Sequence, residues 1–206
     1  MPKGSKELTE NRKKEIVDAC EKLYQTRGFH DITIKDIGQA VSMSRPSIYN
    51  YYETREEIFL ALLKREYEKW TADIREVSAK NEKLTPDELA HSLAQTLEPR
   101  KFLLKISAMN LYEIEDNSRE ENLVEFKTAF LDSLEAVKEC LRKFLPDLPD
   151  ERIEEIRYAF FPFMNGIYPY VYPTEKQMKA MDTVGISYQK TTITDMTYHF
   201  LRQLLE

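Results

Sequence analysis

Glycine is scarce in this 206-residue chain, at 5 residues, and cysteine scarcer still, at 2. A sheet protein with many tight turns uses glycine freely, whereas long helices do not. Cys20 and Cys140 stand alone, without CxxC spacing or a framework of even pairs, which excludes a disulfide scaffold and suits a reducing cytoplasm. No apolar run approaches the ~20 residues that cross a bilayer, so no membrane partner is expected. The opening Met-Pro-Lys-Gly-Ser-Lys has no apolar stretch behind its lysines and does not read as a signal peptide. His30, His91 and His199 are scattered, without HExxH or another ligand spacing, and there is no Walker loop, dinucleotide fingerprint or GxSxG. Those missing constellations argue against an enzyme, and no metal or cofactor is expected. The acidic stretch Glu113, Glu115, Asp116, Glu120 and Glu121 flanks a capping box and reads as a solvated loop.

What the chain has instead is charge, at 32% of residues, and helical periodicity. Its net charge of −6 is unevenly spread: residues 1–55 carry ten Lys/Arg against eight Asp/Glu, and the remainder twenty against twenty-eight. A face that meets phosphates must be positive only locally, and an acidic body can sit behind it.

The periodicity predicts an all-α chain. A first helix runs from about Thr9 to Arg27, with Gly28 as its stop and Ile16, Ala19, Cys20, Leu23 and Tyr24 as its buried stripe. Thr33 caps a second helix with Asp36 in capping-box position, and Ile34, Ile37 and Ala40 face inward. Ser44 caps a third, with Pro46 in its first turn. Thr54 and Glu57 open a long fourth helix carrying Ile58, Leu62, Tyr67 and Trp70. Thr85-Pro-Asp-Glu88 starts a helix over 86–97, and another is expected over 100–114. Ser118 with Glu121 forms a further capping box, leading into Leu123, Phe126, Phe130, Leu134, Val137, Leu141 and Phe144. A helix from about Asp150 meets Pro162 and Pro169, one of which is expected to kink or break it. Thr174 with Gln177 restarts a short helix, and a last one covers roughly 188–205 with Ile193, Met196, Phe200 and Leu204 along one side.

Residues 33–55 are the most informative stretch: two short helices joined by a tight turn, the second displaying small, basic and aromatic side chains. That arrangement suits a helix entering the major groove of B-DNA. Arg45 and Ser47 lie in its first turn and are the best candidates for base edges, with Arg45 on a phosphate nearly as good a reading. The Pro46 ring can pack on a thymine methyl. Ile48 and Tyr52 face the core.

The pattern resembles the DNA-binding domain of the tetracycline-repressor (TetR) family of bacterial transcriptional regulators. Such domains read as a helix ending near Gly-Phe, then Thr-x-x-x-Ile-Ala, then Ser-x-x-x-Leu-Tyr-x-Tyr-Phe-x-Ser-Lys-Glu-Glu-Leu. The matching residues are Gly28-Phe29, Thr33 through Ile37-Gly38, Ser44 through Ile48-Tyr49-Asn50-Tyr51-Tyr52, and Thr54-Arg55-Glu56-Glu57-Ile58. Ser42 stands in place of the usual turn glycine, Pro46 of a frequent glycine and Arg55 of the common lysine. The resemblance is sharp over residues 9–58.

It implies residues 1–54 as a three-helix DNA-binding domain, with the helix-turn-helix at about 33–52, and residues 55–206 as a helical bundle for ligand binding and dimerisation. The implied partners are a palindromic double-stranded operator, a second copy of the chain and a small, largely apolar effector that releases a cytoplasmic repressor from DNA. The DNA-binding set is Thr33, Lys35, Ser44, Arg45, Pro46, Ser47, Tyr49, Asn50, Tyr51 and Arg55. Thr33 offers a hydroxyl and free N–H groups to a phosphate, Lys35 and Arg55 supply charge near the backbone, Tyr49 reaches the DNA, and Asn50 or Tyr51 meets a flanking phosphate. Lys3, Lys6, Arg12, Lys13 and Lys14 form a basic arm or, more commonly for such residues, a solvated tail. Effector-pocket candidates are Met109, Tyr112, Phe126, Phe130, Phe161, Met164 and Tyr168, for which core packing is the plainer role. The last helix and residues 150–172 are candidates for the two-fold interface. The rival reading is a helical protein-interaction scaffold whose helix-turn-helix never meets DNA.

Overall fold

The computed structural model describes residues 3–206, with side chains from Lys6 onward. Met1, Pro2 and the side chain of Lys3, the outermost member of the expected basic arm, lie outside the described residues. Among the described residues all regular structure is α-helix or 3-10 turn, and no strand occurs. The helices are α1 (Lys3–Tyr24), α2 (Ile34–Ala40), α3 (Arg45–Tyr49), α4 (Arg55–Lys80), α5 (Pro86–Leu97), α6 (Lys101–Met109), α7 (Leu111–Asp116), α8 (Glu120–Phe144), α9 (Asp150–Val171), α10 (Glu175–Thr183) and α11 (Ile193–Leu205). They form two compact units: the chain up to Arg65 with Asn110–Ala129, and Glu66–Met109 with Phe130–Glu206.

In the first unit, the apolar faces of α1 to α4 bury Ile16, Cys20, Tyr24, Phe29, Ile37, Ile48, Tyr52, Ile58, Phe59 and Leu62. Phe59 sits at the centre, edge-on to Tyr24 at 5.1 Å and tilted against Phe29 at 4.6 Å. Each such side chain contributes roughly 1.5–3 kcal/mol by leaving water. Gly38 has no room to be anything else, because an added Cβ would lie 2.8 Å from the Met43 carbonyl oxygen. Ser42 adopts φ 54°, the left-handed conformation that glycine takes without strain.

The start of α4 is tied to the start of α8 by an ion pair with one fully buried partner. Glu57 is 1% exposed. Its carboxylate accepts from the Glu53 N–H at 2.7 Å, the Arg119 N–H at 3.1 Å, and Arg119 Nε and Nη2 at 2.6 and 2.9 Å. Thr54 completes the joint: its hydroxyl accepts the Glu57 N–H at 3.1 Å and donates to the Asn117 carbonyl at 2.9 Å. Burial pulls the Glu57 carboxyl upward, but the Arg119 bonds and the two backbone donors outweigh it, leaving its pKa below the ordinary 4.5.

The second unit packs around Trp70, the single tryptophan. Its Nε1–H donates to Thr96 Oγ1 at 2.9 Å, and its ring lies edge-on to Phe160 and Phe161 at 6.1 and 5.6 Å. Phe163 of α9 stacks on Phe200 of α11 at 4.0 Å, and Arg100 joins Asp73 at 2.7 Å.

Several expectations hold residue for residue. Thr33 with Asp36, Thr85 with Glu88 and Thr174 with Gln177 form complete capping boxes. Others need correction. The first helix starts at Lys3 and ends at Tyr24, so Lys6, Arg12, Lys13 and Lys14 lie on a helix and not on a solvated tail. Gly28 is extended at φ −72° and caps the 3-10 turn Phe29–Asp31. Ala40 is exposed. The helix expected over 100–114 is broken at Asn110, whose φ −142° and ψ 3° leave the helical region. Ser118 donates its hydroxyl back to the Ile114 carbonyl at 2.7 Å and its N–H to the Glu115 carbonyl at 3.3 Å, so it closes the preceding turn and α8 starts at Glu120. The α9 helix runs through both prolines without a break. The carbonyls they orphan belong to Tyr158 and Asn165, exposed residues that water can serve. Finally, the last helix starts at Ile193 and turns Thr197, Leu201 and Leu205 inward with Ile193, leaving Met196, Phe200 and Leu204 half-buried.

Because the folded pKa of Glu57 is depressed, the stability it confers is fully present above the ordinary glutamate value of 4.5 and is lost as pH falls through the folded value. Glu57→Gln is expected to cost about 2 kcal/mol at pH 7, read as a drop of several degrees in Tm. Its Tm should then fall less steeply than wild type between pH 5 and 3 (circular dichroism melts, steps of about half a unit). Parallel curves would contradict a native-state role for this carboxylate.

Candidate nucleic-acid interface

The helix-turn-helix is built by local chemistry. Thr33 accepts the Asp36 N–H, while its own N–H and hydroxyl donate to Asp36 Oδ2 at 2.9 and 2.5 Å. The hydroxyl first, then the Thr33 N–H and Arg27, hold the Asp36 carboxyl down at about 2. Both donors of Thr33 itself are thus engaged inside the capping box, with the Asp36 carboxylate at the helix start. At α3, the Ser44 hydroxyl accepts the Ser47 N–H at 3.3 Å and shares a 2.7 Å bond with the Ser47 hydroxyl. With Pro46 at the helix start, a five-residue helix acquires a defined first turn.

Ile48 and Tyr52 are buried and lock α3 to the core, as their spacing suggested. The opposite face of α3 turns Arg45, Pro46, Tyr49 and Asn50 to solvent, with Ser47 and Tyr51 half-buried beside them and Lys35 exposed on α2. Arg45 and Tyr49 act as one unit. Arg45 Nε and Nη2 donate to the Tyr49 hydroxyl at 3.0 and 2.8 Å, and the guanidinium carbon lies 5.4 Å from the ring centroid. Tyr49 therefore engages one edge of the guanidinium. The end-on edge, with parallel N–H groups on Nη1 and Nη2, keeps the fork that matches guanine O6 and N7. The i, i+4 spacing was the available signal for this pair.

Arg55 has a different environment. Its guanidinium is 18% exposed, lies 4.3 Å from the Phe29 ring centroid, donates to the Phe29 carbonyl at 3.2 Å and pairs with Glu56 at 2.5 Å and Glu113 at 3.6 Å. Those contacts fasten α4 to the 3-10 turn and leave Arg55 the least accessible cation of the set.

The effector candidates fall in both units. Tyr112 and Phe126 belong to the first unit, Tyr112 85% exposed and Phe126 buried. In the second, Met109 is exposed, Met164 buried, and Tyr168 tilts against Tyr172 at 5.1 Å. Phe130 and Phe161 do come together, edge to face at 5.4 Å, on the wall of a recess of about 310 Å³ between α8 and α9. Among the described residues, no group of three or more His, Cys, Asp or Glu side chains is placed to hold a metal ion, and no helix is long and apolar enough to cross a membrane.

A capped pair of short helices over a shared apolar core, with a basic and aromatic outer face on the second, defines a helix-turn-helix. Two family models then cover nearly the whole chain: bacterial regulatory proteins of the tetR family over residues 16–62, and the tetracyclin repressor-like C-terminal domain over residues 64–206. The chain belongs to the tetracycline-repressor family. It is 28% identical over 72 residues to the HTH-type transcriptional repressor Rv1474c of Mycobacterium tuberculosis, a match covering 35% of this chain and 38% of that protein. It is 29% identical over 110 residues to the HTH-type transcriptional repressor AcnR of Corynebacterium diphtheriae, covering 50% and 56%. The chain thus spans less than two thirds of the length of these curated relatives. Over nearly full length the fold is shared with the TetR family regulator PfmR from Thermus thermophilus (TM-score 0.63, 14% identity, 92% and 96% covered). It is shared also with FadR from Bacillus subtilis, solved in complex with stearoyl-CoA (TM-score 0.58, 14% identity, 93% and 97% covered). This family is one of transcriptional regulators and not an enzyme class.

Tyr49→Phe keeps the ring and deletes the acceptor for both Arg45 bonds. Its affinity for duplex DNA, read by fluorescence anisotropy, is expected to fall about tenfold through lost positioning of Arg45. In an Arg45→Ala background the same change should do little. An equal loss in both backgrounds would show that Tyr49 acts independently of Arg45.

Proposed function

We propose that the chain is a sequence-specific, ligand-responsive repressor that binds a palindromic operator as a dimer and is released by a small, largely apolar effector. The observation that carries this reading is the exposed Arg45–Tyr49 unit on the first turns of a recognition helix whose other face is locked into the core. Arg45 reads a guanine through its free edge, worth ~1–3 kcal/mol of discrimination. Pro46 meets a thymine methyl, Ser47 supports the base contacts, and Ser44 caps the reading helix. Lys35, Asn50 and Tyr51 meet phosphate, which sets register and not sequence. Thr33 and Arg55 contribute mainly by holding α2 and α4 in place, given the partners they already have.

The functional division proposed is a DNA-binding domain over residues 1–54 and an effector and dimerisation domain over 55–206. Two recognition helices must lie about one turn of DNA apart, ~34–36 Å, which requires two copies. The α9 and α11 helices are the proposed two-fold interface. The effector favours a state in which the spacing or tilt of the paired heads no longer fits the operator. Stearoyl-CoA on the Bacillus subtilis FadR, a protein of the same fold, supports a ligand with a large apolar part. Two buried, unpaired cysteines suit a cytoplasmic protein.

The test is selection from randomised duplex DNA at several salt concentrations. A palindrome with a guanine at one fixed position of each half-site, and affinity that falls steeply with salt, is the expected result. A sequence-indifferent pool from ligand-free protein would contradict it and favour the scaffold reading.

A further inference from the structure

Where α6 lies along α9, two lysines meet two tyrosines. Lys101 Nζ sits 4.2 Å from the centre of the Tyr172 ring, and Tyr172 is tilted against Tyr168 at 5.1 Å. Lys101 opens α6 and Tyr172 caps the end of α9, so α6 packs along α9 by running back toward its start. That antiparallel register sets Lys105, one turn into α6, beside Tyr168, one turn back in α9. Tyr168 shares a flank of α9 with the buried Met164; Phe163, which stacks on α11, and the exposed Tyr158 and Pro162 lie on other faces. All four members of the cluster belong to the second compact unit. The nine residues of α6 hold both lysines and no carboxylate. Like charges four apart on a helix repel, and Lys101 stands at the helix end whose dipole favours an anion.

The surroundings do little to offset that charge. Among the described residues the Lys101 ammonium rests on a tyrosine face and in no ion pair. Lys105 is half-buried, and burial first, then the charge of Lys101, draw its pKa below the ordinary 10.5. Burial also pushes both phenols up, so they stay protonated donors. Glu98 acts on Tyr172 as well, but its Oε2 already accepts from the Thr194 N–H and hydroxyl, each at 2.8 Å. The carbonyl end of α9 attracts the lysines with about half a charge, against two whole ones. A positive spot lined with neutral O–H donors suits an oxyanion. An ammonium over a phenol ring stands close enough to its hydroxyl for one oxygen to bridge them, as donors roughly 5 Å apart allow at ordinary bond lengths. Phosphate matches better than carboxylate, because it brings up to two charges to the two ammoniums and three oxygens to the four donor groups. We propose that Lys101, Lys105, Tyr168 and Tyr172 bind a phosphate group, as free phosphate or as the head of a phosphomonoester.

Calorimetric titration of the full chain in phosphate-free buffer tests it, with inorganic phosphate, phenyl phosphate and benzoate as probes. Phosphate in one form or the other is expected to bind once per chain, about tenfold or more tighter than benzoate. Which of the two binds tighter tells free phosphate from a monoester head. Lys101→Gln and Lys105→Gln should each weaken that binding about tenfold while melting close to wild type, since each relieves a repulsive pair. Tyr168→Phe deletes one donor and should cost severalfold. Lys179→Gln makes the same change of charge at an exposed position of α10 and should bind as wild type does. Benzoate binding as tightly as phosphate, no phosphate binding by wild type, or equal affinities of Lys105→Gln and Lys179→Gln would each overturn the proposal, and the first two need no variant. The titration contains no DNA, so its outcome is independent of the operator selection that tests the regulator reading.

Discussion

The helix-turn-helix keeps its geometry because a buried carboxylate has no freedom to move. Glu57 has left water almost completely, and only the four donors around it make that tolerable. Two come from backbone N–H groups, at Glu53 and Arg119, and two from the Arg119 side chain, so the pair sets main-chain positions as well as side chains. The first turn of α4 is thereby fixed, and with it Arg55, whose guanidinium clamps the 3-10 turn before α2. Phe59 follows in the same turns and packs against Tyr24 and Phe29, while α3 is held on α2, where Ile48 lies against Gly38. The outer face of α3 is positioned by that chain of contacts.

Segment 110–129 accordingly belongs to the first compact unit although the chain reaches it only after α5 and α6. Its partners show why. Asn117 accepts from Thr54, Glu113 pairs with Arg55, Arg119 with Glu57, and Glu125 with Lys64 at 2.8 Å. Within the acidic stretch that reads as a solvated loop, Glu113 is a counter-ion for Arg55 of α4 and Glu115 for Lys127 of α8. Both α4 and α8 contribute residues to the two units.

Much of the fold was legible because its signals are local. A threonine three residues ahead of an acid or glutamine marks a helix start whatever surrounds it, which is why the caps at Thr33, Thr85 and Thr174 were readable. The same rule misplaced Ser118, whose hydroxyl and N–H are both spent on closing the turn before it. Periodicity misjudged α11 by choosing Met196 and Phe200 over Thr197, a polar residue that the packing buries. A break at Pro162 or Pro169 was one reading, because sequence does not show that the carbonyls they free are open to water. In the candidate interface, residue types and order were visible, but not the occupation of Thr33 and Arg55, nor the bond from Arg45 to Tyr49.

The central claim is that the exposed face of α2 and α3 is where this chain meets DNA. Hydrogen–deuterium exchange of the full chain, with and without the selected duplex, tests it most directly. Peptides covering residues 33–55 should slow on adding DNA, while those covering α9 and α11 should change little once the dimer has formed. Protection confined to α9 or α11, with residues 33–55 unchanged, would contradict the account.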